Sequence, residues 1–192
     1  MNYYQDISLL PHADIGLYFL WQKIYKQIHL ALVENKVTEL SSSVGVSFPE
    51  YDADKYCLGG EMRLFAESRQ RLEQLHCDQW LSRLNDYVQL SQIHPVPENI
   101  ESYACFKHIK LKGSKEKMAR RRAKRKGETM QQSLAYFEGF DEQCSKLPYI
   151  IIQSETNGHF FHLFIEKHVV VQPQTGLYSC YGLSNTSTVP LF

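Results

Sequence analysis

The sequence predicts an α+β fold in two parts: an N-terminal strand-helix-strand-strand-helix-strand unit, and a smaller C-terminal α/β part carrying an arginine-rich helix. Three observations lead there. Apolar residues recur at helical spacing after residue 14, flanked by short alternating runs that read as strands. A polar stretch with two prolines, HPVPEN at 94–99, interrupts the pattern near mid-chain. Beyond it, lysine and arginine are dense enough to set that half apart.

Tyr3 to Leu10 alternates as a strand does, and Asp14 stands where it can cap a helix from Ile15 to about Asn35. Leu17, Leu20, Ile24, Ile28 and Ala31 form the stripe that this helix would bury. Val44 to Phe48 and Met62 to Ala66 read as short strands joined by the polar YDADKYCLGG. A second helix is expected from about Ser68 to His76, running on irregularly through Trp80 and Leu84, and Tyr87 to Ile93 alternates again. The order βαββαβ is the ferredoxin-like one. It places one domain at residues 1–94 and a second at 95–192, with HPVPEN as the linker.

The second part is expected to run through a strand near Tyr103 to Leu111, a basic helix at about 114–126, and a helix near Thr129 to Phe140. Strands follow at Tyr149 to Ser154, Phe160 to Glu166, Val169 to Gln172 and Leu177 to Leu183.

Net charge is zero, from 21 basic and 21 acidic residues, but the charge is segregated. Lys107 to Lys126 holds 11 Lys or Arg and one acid, Glu116, which leaves 10 basic and 20 acidic side chains on the other 172 residues. A basic island on an acidic body draws a polyanion to one place. Within the island Ser114 can cap a helix and Gly127 can end it. Lys117, Arg120, Arg121, Lys124 and Arg125 recur on one side, and only Met118, Ala119 and Ala123 are non-polar. With so little to bury, this helix is expected to be ordered mainly by a phosphate-rich partner. A nucleic acid fits, and the four-stranded frame favours RNA, although the sheet lacks the aromatic motifs of a base-stacking recognition domain.

Several classes are not expected. No apolar run approaches the ~20 residues that span a bilayer, and the start MNYYQDISLL lacks the features of a secretion signal, so a cytoplasmic protein is anticipated. Cys57, Cys77, Cys105, Cys144 and Cys180 are scattered and form no C-x-x-C pair, which argues against disulfides and zinc knuckles. His159, His162 and His168 show no ligand spacing, and neither metal nor other cofactor is expected. His162 and His168 read as strand residues facing solvent.

The C-terminal third reads Q-S-E-T-N-G-H-F-F-H-L-F-I from Gln153 to Ile165, then S-C-Y-G-L-S at Ser179 to Ser184, and ends V-P-L-F. Together with G-V-S-F-P at Gly45 to Pro49 and K-Q-I-H-L-A-L-V around His29, these segments resemble the CRISPR repeat-RNA endoribonucleases of type I-F systems. The resemblance covers essentially the full length in the same order, with the arginine-rich helix at Met118 to Arg125. It implies a protein that binds the repeat stem-loop, cuts pre-crRNA at the 3′ base of the stem, and stays on the mature crRNA beside other subunits of the type I-F surveillance complex. A subunit that anchors the hairpin with little or no cleavage is the alternative it leaves.

By motif, the resemblance makes His29 the catalytic histidine, Ser154 the serine that constrains the attacking ribose, and Tyr181 the tyrosine of C-Y-G-L-S. Phe161 matches an aromatic that stacks on a base, and Thr156 supplies a hydroxyl where a second serine is usual. His108 and Lys110 stand where an arginine and a glutamine contact the last stem bases. Lys112 joins the basic-helix residues as an RNA contact.

The residues alone permit plainer readings. His29, between Ile28 and Leu32, suits a histidine on a helix face; Ser154 suits a turn and Tyr181 a core. The chemistry fits nonetheless. RNA is cut without metal when its own 2′-hydroxyl attacks in line, leaving the protein to align the ribose and move protons. Imidazole suits that proton transfer because it titrates near neutrality.

Overall fold

The computed structural model describes residues 1–10, 12–111, 113–139, 145–154 and 157–192. Helices and antiparallel sheets make it α+β. The chain packs as two compact units, Met1–Ile109 with Leu147–Phe192, and Lys110–Lys146.

In the first unit, β1 (Tyr3–Leu9) turns Ile7 and Leu9 inward and leaves Ser8 less covered. β3 (Gly45–Ser47), β4 (Glu61–Ala66) and β5 (Val88–Leu90) join it in the order β3-β4-β1-β5, all antiparallel. The expected helix opens at Leu17, behind Gly16, and α1 (Leu17–Glu34) has no side-chain cap, so Asp14 does not serve as one. Leu20, Ile24, Ile28 and Ala31 are buried as expected, and Trp21, Tyr25 and Leu32 widen the stripe. Leu17 lies before the buried cluster begins and is 38% exposed. The second helix is broken in two, α2 (Arg69–Glu73) and α3 (Cys77–Leu81), because His76 between them takes φ +48°. A left-handed residue ends one helix and redirects the chain into the next.

A second sheet runs β11 (Val189–Leu191), β7 (Ser102–Ile109), β9 (Phe160–Val170), β8 (Tyr149–Gln153), again antiparallel. β9 is one strand, where two had been expected: Lys167 and His168 continue the ladder opposite Phe106 and Cys105. β11 was not anticipated, since its Pro190 counts against a strand except at a sheet edge, which is where it lies. The strand expected at Leu177 to Leu183 shortens to β10 (Tyr178–Ser179), paired with β2 (Ser41–Ser42), because the following residues form a turn.

The boundary expected after residue 94 falls inside this unit. Within the anticipated linker, β6 (His94–Pro95) pairs with β1, and the two sheets share one apolar cluster. Phe48 meets Phe106 edge-on at 5.5 Å, and the Tyr51 hydroxyl donates to the Ile165 carbonyl at 3.0 Å. Cys57, Cys77, Cys105 and Cys180 are free thiols, while Cys144 lies outside the described residues. Among the described residues no helix is long and apolar enough to cross a membrane.

The second unit pairs α4 (Lys115–Lys126) with α5 (Met130–Tyr136). The Ser114 hydroxyl accepts from the Lys117 amide, and Gly127 closes α4 at φ +67°, as local sequence predicts. Thr129 opens α5 with a complete capping box, and α5 ends at Tyr136, short of the expected Phe140. The expectation that α4 has almost nothing to hold it is corrected. Ala119 is fully buried, and Arg122 binds Glu128 through two nitrogens at 2.9 and 3.0 Å. The same guanidinium lies 3.7 Å from the Tyr136 ring centre, and the Ser133 hydroxyl donates to Glu128. One arginine of the basic run therefore ties the helix pair together, by a forked ion pair and a ring contact.

Candidate active site

The site grows from the turn after β10. The Ser179 amide donates to the Leu183 carbonyl and the Gly182 amide to the Ser179 carbonyl, both at 2.8 Å, so residues 179–183 close tightly. Gly182 makes this possible with φ +70°, and a Cβ there would sit 2.2 Å from the Val46 Cγ2. The Val46 amide donates to the Gly182 carbonyl at 2.8 Å, which fastens the turn to β3. On the other side of β3, a Cβ at Gly45 would meet Val189 at 2.7 Å and Tyr178 at 2.8 Å. The segments G-V-S-F-P, C-Y-G-L-S and V-P-L-F thus converge here.

This packing makes a test possible. Gly182→Ala is expected to add ~1–3 kcal/mol of backbone strain, before any clash with Val46, and to lower the melting temperature by at least ~2 °C by calorimetry. Adding Val46→Ala removes the Cγ2 contact but keeps a Cβ 2.9 Å from the added methyl and empties buried space, so the double variant is expected to show no recovery.

The turn presents two groups to α1. The Cys180 carbonyl lies 2.8 Å from the His29 Nδ1, and the Tyr181 ring stacks on the imidazole at 4.1 Å and 6°. A carbonyl only accepts, so the Nδ1 carries the hydrogen, and in the neutral ring the lone pair resides on Nε2. The buried Tyr25 hydroxyl donates to the Tyr181 carbonyl at 2.7 Å, which holds the turn from below. Burial pushes the Tyr181 phenol above its ordinary range, with Cys180 adding to the effect, so Tyr181 keeps its proton near neutrality.

Two further rings meet Tyr181. His108 approaches at 6.4 Å and 65°, and Phe161 at 6.4 Å and 84°. Strand periodicity explains both. His108 shares a face of β7 with buried Ala104 and Phe106, and Phe161 shares a face of β9 with buried Leu163 and Ile165. His29, Tyr181, His108 and Phe161 are each partly covered, so the cluster reaches the surface without lying open.

Ser154 stands apart from these contacts, at the start of the β8–β9 turn. Its amide donates to the His159 carbonyl and its carbonyl accepts from the Gly158 amide. It follows Gln153 and is two residues past Ile152, the register partner of Phe161. Thr156 and Lys112 lie outside the described residues. Lys110 is exposed just after β7, and on α4 Lys117, Arg120, Arg121, Lys124 and Arg125 are all exposed, with no ion pair among the described residues. His162 is exposed beside Phe164, and the exposed His168 meets Glu166 at 2.6 Å. Among the described residues no three His, Cys, Asp or Glu side chains gather as a metal site.

The profile of the CRISPR-associated protein family Cas_Csy4 matches residues 4–192. The chain belongs to the Csy4 family. It is 30% identical to the CRISPR-associated endonuclease Cas6/Csy4 of Escherichia coli (strain UTI89 / UPEC) over 193 aligned positions, covering 100% of both chains. A protein of the same name from Pseudomonas aeruginosa (strain UCBPP-PA14) is 28% identical, also over 193 positions and 100% of both.

Within this Csy4 chain, three features escaped sequence reasoning. The Cys180 carbonyl that orients His29 leaves no trace, since every residue carries a carbonyl. Tyr25 had a signal: it lies one turn before His29 on α1, where an aromatic with a polar tip implies a partner. Arg122 was hidden among ten other cations, although Glu128 just past the helix marked a possible mate.

Proposed function

We propose that this chain is an endoribonuclease of CRISPR repeat RNA, binding the repeat stem-loop, cutting pre-crRNA at the 3′ base of the stem, and staying on the mature crRNA. The observation that carries it is the setting of His29, with Nδ1 2.8 Å from the Cys180 carbonyl and its ring stacked on Tyr181. A neutral imidazole whose lone pair is on Nε2 is suited to take the proton of a 2′-hydroxyl. The 2′-oxygen then attacks the adjacent phosphorus, the bond to the 5′-oxygen breaks, and a 2′,3′-cyclic phosphate remains.

The other residues serve alignment. Tyr181, kept protonated by burial, can donate a hydrogen bond and packs the imidazole in place. Ser154 holds the attacking ribose, with Thr156 as a second hydroxyl, and Phe161 stacks on a base near the stem. Lys110, Lys112, Lys117, Arg120, Arg121, Lys124 and Arg125 bind phosphates, so residues 95–192 supply most of the RNA grip and residues 1–94 the catalytic histidine. The order β3-β4-β1-β5, with α1 after β1 and α2–α3 after β4, supports a ferredoxin-like reading of that first half. Other subunits of a type I-F surveillance complex are the protein partners, in the cytoplasm.

In this reading the 2′-proton passes to His29, a step that an imidazole performs without a metal. Incubation with its own repeat RNA in excess chelator is expected to give cleavage with a cyclic phosphate end, and a 2′-deoxyribose at the scissile position is expected to block it. Loss of cutting in EDTA, with recovery on adding Mg²⁺, would sink the metal-independent mechanism.

A further inference from the structure

Internal attack on RNA requires two proton movements: the 2′-oxygen loses one and the 5′-oxygen must gain one to leave as an alcohol. In an in-line displacement these oxygens lie on opposite sides of phosphorus, so the group beside one is not beside the other. His29 serves one side only. Extending the endoribonuclease reading, and resting on it, we propose that His108 is the second proton-transfer group and donates to the departing 5′-oxygen.

The placement is what recommends it. Tyr181 has a histidine stacked on its face, His29 at 4.1 Å and 6°, and another set at a steep angle, His108 at 6.4 Å and 65°. Two imidazoles thus flank one aromatic ring from separate elements, α1 and β7. His108 lies near the end of β7, beyond Ala104 and Phe106 on the same face, where full burial gives way to partial exposure. The neighbouring acids are less suited. Burial raises the Tyr181 phenol and the Cys180 thiol, which makes both reluctant donors. Imidazolium releases its proton near neutrality and is the stronger acid.

The step balances. The 2′-oxygen gives its proton to the His29 Nε2 as the bond from 2′-oxygen to phosphorus forms. The bond from phosphorus to the 5′-oxygen breaks, its electron pair goes to that oxygen, and the His108 imidazolium protonates it. The products are a 2′,3′-cyclic phosphate and a 5′-hydroxyl, with His29 protonated and His108 neutral until water exchanges both.

A sulfur substitution separates this role from binding. In a repeat hairpin whose scissile 5′-oxygen is replaced by sulfur, the thiolate leaves without a proton. His108→Gln is expected to slow single-turnover cleavage of the ordinary linkage by ~10²-fold or more, and to cut the sulfur linkage at close to the rate of the unaltered protein. His29→Ala should be slow on both. His108→Asn, run alongside, guards against a fault peculiar to one replacement. Equal losses on both linkages with both variants, as a histidine that only contacted a stem base would give, overturn the proposal, and so does no loss at all. An unaltered protein that leaves both linkages whole overturns the endoribonuclease reading itself.

Discussion

Replacing His29 by alanine is expected to slow cleavage of the repeat hairpin by about 10² to 10⁴-fold. Hairpin affinity should shift by less than about tenfold, or ~1.4 kcal/mol. The separation follows from where the side chain sits. His29 projects from α1 onto the turn at Cys180 and Tyr181, whereas most of the cations proposed to bind phosphates are on α4, with Lys110 just after β7. Alanine removes the lone pair that takes the 2′-proton and leaves those cations untouched.

The fold should tolerate the change. His29 is only partly covered, so truncation opens a space that water can enter, and water can take over the hydrogen bond to the Cys180 carbonyl. Single-turnover cleavage and equilibrium binding of the same hairpin check the two halves of this expectation. A variant cutting at the parental rate would reduce His29 to a histidine packed on a helix face, the plainer reading that its place beside Ile28 permits.

Local signals were legible in the sequence where local physics decides the outcome. Ser114 and Gly127 bound the basic helix because caps act within one turn, and α1 was visible because Leu20, Ile24, Ile28 and Ala31 repeat along one face. Long-range pairing was not legible. Pro190 argues against a strand until β7 is there to make β11 an edge, and Lys167 with His168 looks like a break until Phe106 and Cys105 stand opposite. The turn at Cys180 to Leu183 reads as apolar strand because its left-handed glycine is explained only by Val46, from the other end of the chain.

The candidate site divides the same way. Spacing alone left His29, Ser154 and Tyr181 with structural readings, and the linked motifs singled them out. The structure adds why those motifs travel together: β3, β11 and the turn at Gly182 pack in one place, and α1 meets that turn through His29 and Tyr25. The position of His108 beside Tyr181 could not be read from spacing, since 73 residues separate them and only the sheet brings them near.

Neutralising Arg120, Arg121, Lys124 and Arg125 together is expected to flatten the salt dependence of hairpin binding. These four side chains are exposed, whereas Arg122 is committed to Glu128 and Tyr136, so the substitution spares the interaction that holds α4 to α5. Each phosphate that the protein no longer neutralises takes about 0.7 to 0.9 off the log-log slope of affinity against salt. If all four cations bind phosphates, the unaltered protein loses about a hundredfold more affinity than the variant between ~50 and ~200 mM salt. The variant therefore binds far more weakly at low salt, and the gap narrows as salt rises. Thermal stability should hold or increase, because like charges on adjacent turns repel. Arg122→Ala makes the contrast: it should lower the stability of the helix pair while leaving the slope of the four exposed cations in place. A fourfold variant with the parental slope would show that α4 is a solvated charge run, and would hand the RNA grip to the sheet and loops.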